Sequence, residues 1–115
     1  MVATYLNNFE LTETCFKEQE KWVNDPECGI SNPLYVPATF NLIHSEITEA
    51  AEGHRKDKMD DHLPHRKAVE VELADALIRI YGLAGALDLD VGSAMEEKII
   101  YNRTRADHRD GSKKY

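Results

Sequence analysis

The chain has 115 residues, which suits one domain with a modest hydrophobic core and is too short for two. Its 21 acidic side chains outnumber 14 lysines and arginines, so the net charge of −7 repels a phosphate backbone and excludes nucleic acid as a default partner. No run of about 18 apolar residues occurs, and MVATYLNNFELTET lacks a basic start followed by an apolar stretch, so the expectation is a cytoplasmic protein without a membrane partner. Cys15 and Cys28 lack metal-ligand spacing and are expected to be free thiols.

Punctuation and periodicity predict four helices, with no convincing strand run or internal repeat. The first spans about 8–24: Asn7 with Glu10 resembles a helix-opening box, and DPECGISNP ends the pattern. The second, about 37–56, opens at Pro37 and runs to Gly53 and the charged segment KDKMDDHLPH. Asp60-Asp-His-Leu-Pro-His65 reads as a polar turn with solvated histidines. The third, about 66–88, is rich in helix formers despite Gly82 and Gly85. Asp88 or Asp90 caps a fourth, about 91–107, before a polar tail over 108–115. The class is all-α, a single four-helix bundle over 1–115.

At about 100° per residue the third helix shows two apolar strips. One holds Val69, Leu73, Ala76, Ile80, Leu83 and Leu87; the other holds Val71, Ala74, Ile78 and Tyr81. A helix that is apolar on two sides buries both, so one strip is expected to face its own bundle and the other a second subunit of a homodimer or homotetramer, the alternative being the central helix of a monomer. Gly82 and Gly85 would let another helix approach closely.

Between those strips lie Glu72, Asp75 and Arg79, at i, i+3 and i+7. On the second helix, Glu46 falls inside an apolar arc of Phe40, Leu42, Ile43, Ile47 and Ala50, with Glu49 at its edge. Glu52 lies with Ser45 and Thr48 on the outer face. Gathering carboxylates away from water costs several kcal/mol per unpaired charge, so a cation is expected among them. Oxygen donors without Cys or clustered His suit Mg²⁺ or Mn²⁺ better than zinc. On the fourth helix Lys98, Asn102 and Arg105 share one face, as an anion contact or as salt-bridge partners.

Glu46-x-x-Glu49, 22 intervening residues, Glu72-Leu-Ala-Asp75, and then Lys98-Ile-Ile-Tyr-Asn102-Arg-Thr-Arg105 together resemble the MazG-like branch of the all-α nucleoside triphosphate pyrophosphatases. The resemblance covers roughly 37–110. It implies Mg²⁺-dependent cleavage of an NTP or dNTP to the monophosphate and pyrophosphate in a helical bundle completed by oligomerisation. By position, Glu46, Glu49, Glu72 and Asp75 would be the catalytic metal ligands, and Lys98, Asn102 and Arg105 would contact phosphate. Family members often place a further glutamate where Ser45 stands, which leaves the metal count and the general base open. Trp22 is a candidate for stacking on the base. A dUTPase-like or phosphoribosyl-ATP pyrophosphatase-like activity and a non-catalytic helical interaction module are the alternatives. A ferritin-like di-metal bundle would need Glu-x-x-His motifs, and the sequence has none.

Overall fold

The structure, a computed structural model, describes residues 7–105 and consists of four α-helices: α1 (Asn8–Val23), α2 (Tyr35–Lys56), α3 (Ala68–Ala86) and α4 (Val91–Thr104). Positions 106 and 107 of the expected fourth helix, and the tail, lie outside the described residues. The all-α expectation is met, and the only strand-like feature among the described residues is one isolated bridge between Met59 and Lys67.

Local chemistry explains the boundaries. Asn7 accepts a hydrogen bond from the Glu10 backbone N–H (2.8 Å) while its amide donates to the Glu10 carboxylate (2.9 Å), occupying one of the donors that a helix start leaves unpaired. After α1 the Asp25 carboxylate accepts the N–H groups of Glu27 and Cys28. Gly29 then folds onto the Val23 carbonyl, where a Cβ would collide with backbone. Helix α2 starts two residues before the expected Pro37, which sits in the first turn, where a missing N–H is harmless. Asp57 closes that helix in the left-handed region (φ 49°), with the Lys58 N–H donating to Gly53 O.

The expected polar turn forms around Asp60, whose buried carboxylate accepts the N–H groups of His62 (2.9 Å) and Leu63 (2.8 Å). Arg66 and Lys67 belong to this turn rather than to α3, because Asp60 N–H bonds Arg66 O and Ala68 N–H bonds Lys58 O. At its far end α3 stops at Ala86, short of 88, since Asp88 adopts φ 55° and Leu89 N–H reaches back to Ala84 O. Asp90, one of two expected caps, accepts the Ser93 N–H at the start of α4.

Helix α3 is central, with α2 and α1 packed antiparallel along different sides. The α2 seam is built from small residues: Thr39, Ala50 and Gly53 are buried on α2, Ala68 and Ala76 on α3, and a Cβ on Gly53 would lie 3.0 Å from that of Ala68. Gly82 and Gly85 do permit a close approach, and the approaching helix is α1, through Gln19 and Phe16. At this end α3 is therefore covered by a helix of the same chain. Tyr81 is covered within the chain, whereas Leu73, Leu77 and Ile78 nearer the N-terminus of α3 remain exposed. The apolar arc of α2 is also wider than its packed face, for Phe40, Leu42 and Ile47 are each exposed. Helix α4 buries none of its residues and makes its main contact with α1.

Candidate metal centre

The seam between α2 and α3 explains why an acidic residue stands inside an apolar arc. Thr39, Glu46, Ala50 and Gly53 recur at i, i+7, i+11 and i+14, so they form one line along the side of α2 that meets α3. Glu46 therefore projects into the seam, and its side chain is only 15% exposed. Opposite it, the shared strip of α3 presents Glu72, Asp75 and Arg79, all half-buried. One carboxylate oxygen from each of Glu46, Glu72 and Asp75 lies within 4.8 Å of the other two. Arg79 Nε donates to Glu46 Oε1 at 3.2 Å.

Crowding three like charges changes their proton affinity. Desolvation, followed by a hydrogen bond with Glu46 and the charges of Glu46, Asp75 and Glu49, pushes the Glu72 pKa up from 4.5 to about 7. Desolvation and the Glu46 charge also raise Asp75, while the Arg79 guanidinium pulls the other way. One arginine thus offsets part of the repulsion among three carboxylates.

Such a donor set suits a hard divalent cation. It supplies carboxylate oxygens only, on two helices, at a mutual spacing that one ion can span. Glu46, Glu72 and Asp75 would hold the ion. Glu49 stands apart from these three: it is exposed, and with Glu52 and Glu72 it borders a small adjoining cavity. Glu52, which the spacing puts on the outer face, is instead half-buried and borders that same cavity, and it accepts hydrogen bonds from Arg55 Nε (3.0 Å) and Nη2 (2.6 Å), with Lys56 Nζ at 3.2 Å.

The candidate phosphate contacts are not gathered with the carboxylates inside the chain. Lys98 and Arg105 both approach the Tyr101 ring, at 4.7 and 5.9 Å from its centroid, on a helix whose main contact is α1; Asn102 lies on the same helix. Trp22, by contrast, borders a cavity of about 450 Å³ between α1 and the α2–α3 pair, together with Gln19, Tyr35, Thr39, Leu42, Asp75, Ile78 and Arg79. The sequence reading gave no role to Gln19, Tyr35 or Arg79. Arg79 alone carried a signal, its i+7 spacing from Glu72, whereas Gln19 and Tyr35 come from other helices and only folding brings them there.

The described chain is an all-α protein with an acidic inter-helix cluster opening beside an aromatic-walled cavity. No known family model, curated protein or solved structure matches it. No described helix is long and apolar enough to cross a membrane.

Proposed function

We propose that this protein is a Mg²⁺-dependent nucleoside triphosphate pyrophosphohydrolase, with Mn²⁺ as a substitute ion, cleaving an NTP or dNTP between the α and β phosphates. The observation that carries this reading is the convergence of Glu46, Glu72 and Asp75 across one helix seam, joined through Asp75 to a cavity large enough for a nucleoside. Its order of motifs along the chain supports the same assignment. A divalent ion at these carboxylates supplies neutralisation of the triphosphate oxygens.

The chain's own residues do the rest. Water attacks the α-phosphorus in line, the α–β bridging bond breaks, pyrophosphate leaves, and one glutamate of the seam accepts the proton of the water. Glu46, Glu72 and Asp75 are placed by helices rather than loops, which holds the reacting groups in register. Glu49, at the exposed edge, completes the acidic set. Trp22 offers an aromatic face to the base. The exposed Leu73, Leu77 and Ile78 of α3, and a fourth helix with no buried residue, favour a homodimer or homotetramer in which Lys98, Asn102 and Arg105 reach phosphate. A cytoplasmic setting agrees with this substrate class.

The test is incubation with a panel of ribo- and deoxynucleoside triphosphates plus Mg²⁺, resolving pyrophosphate from orthophosphate. Monophosphate and pyrophosphate in equal amounts are expected. Orthophosphate as the direct product sinks α–β cleavage, and no turnover of any nucleotide favours a non-catalytic helical module.

A further inference from the structure

Arg79 stands at a junction. On one side it donates to Glu46 within the acidic seam; on the other it borders the cavity that holds Trp22 and Tyr35. Asp75 shares both positions. Among the described residues bordering that cavity Arg79 is the one cation, and its side chain is 36% exposed. With Nε engaged by Glu46, the two terminal amino groups are the part of the guanidinium left for the cavity.

Resting on the pyrophosphohydrolase reading, we propose that Arg79 is a phosphate-binding residue of this site, gripping the phosphate that joins the nucleoside in the cavity to the carboxylate seam. A ligand with its base against Trp22 and its polyphosphate at Glu46, Glu72 and Asp75 must pass the Asp75–Arg79 junction. An anion crossing there meets repulsion from Asp75, and a forked guanidinium offsets it with two parallel hydrogen bonds that a lysine cannot reproduce. The Glu46 contact pre-sets the orientation of that fork, so little rotational freedom is lost on binding. The assignment also places a cation beside the carboxylates within one chain, whereas Lys98 and Arg105 sit on the α1-packed α4.

The chain's only tryptophan lies in the cavity, so its fluorescence reports occupancy. The probes are α,β-methylene analogues of the nucleoside triphosphates with Mg²⁺, which the proposed reaction cannot cleave, and Mn²⁺ alone. Arg79→Gln is expected to weaken the best analogue about ten- to hundredfold without lowering Mn²⁺ affinity, which the loss of a competing cation beside Glu46 can only raise, with Arg79→Lys in between. Equal analogue affinity in wild type and Arg79→Gln overturns the inference and leaves the underlying reading intact. A parallel fall in Mn²⁺ affinity also overturns it, since Arg79 then acts only through Glu46. Failure of every analogue to bind the wild type overturns the inference together with that reading. Should Arg79→Gln lose its helical circular dichroism, Arg79→Lys decides: unchanged analogue affinity overturns the forked contact.

Discussion

Gly85 on α3 and Phe16 on α1 meet with no room for a methyl group: a Cβ on Gly85 would stand 2.7 Å from the Cβ of Phe16. One turn earlier Gly82 meets Gln19, but there the obstructing group is the end of a flexible side chain, which also donates to Ile78 O at 3.4 Å. The two glycines therefore differ in what replacing them costs. Gly85→Ala is expected to destabilise the chain by about 1–3 kcal/mol through overpacking against a Cβ that cannot swing aside. Gly82→Ala is expected to be near neutral, because the carboxamide rotates away and alanine regains up to about 1 kcal/mol of helix propensity. Urea unfolding of both variants checks the order.

The acidic seam should make stability depend on pH in a defined direction. Glu72 holds its proton more tightly folded, at about 7, than its ordinary value of 4.5, so the folded state binds more protons between those values and stability falls as pH rises through that window. Glu72→Gln removes the penalty. Without added metal it is expected to exceed the wild type at pH 8 by on the order of 1–2 kcal/mol, allowing for partial solvation, and to match it below pH 4.5. Thermal melts at pH 4 and pH 8 measure this.

Divalent cations should reverse that penalty. With Mg²⁺ or Mn²⁺ at about a hundred times its dissociation constant, folding gains about 2.7 kcal/mol, a rise in Tm of roughly 10 °C. Glu46→Gln and Asp75→Asn should abolish the rise while unfolding cooperatively. An unchanged rise in either variant removes that residue from the centre.

Glu49 and Glu52 lie three residues apart on α2 and offer an internal comparison. Glu49→Gln is expected to lower turnover by about a hundredfold or more, whereas Glu52→Gln should leave it within about twofold, since the Glu52 carboxylate is already tied to Arg55 and Lys56. Equal effects of the two changes would contradict separate roles for Glu49 and Glu52.

Association is the remaining consequence. The exposed Leu73 and Leu77 on α3 are a self-complementary apolar surface in the proposed dimer or tetramer. Leu77→Glu should leave the helical content intact, because the side chain is half exposed, and shift the sedimentation coefficient to that of a monomer. A wild-type chain that sediments as a monomer at every concentration counts against the oligomer.

The sequence by itself determined what depends on neighbours along the chain. Helix starts at Asn7 and Asp90, the turn around Asp60, and the projection of Glu72, Asp75 and Arg79 from one strip follow from caps and a 3.6-residue period, which act over a few residues. Only the tertiary structure decided what depends on which helix lies beside which. It put Glu46 rather than Glu49 in contact range of Glu72 and Asp75, sent α1 across Gly82 and Gly85, and brought Gln19, Trp22 and Tyr35 to Arg79. Periodicity assigns each side chain a direction around its own helix axis, but the partner it meets is set by the axial shift and rotation of a second helix. Those are determined by the packing of small residues along the seams, which no single helix contains.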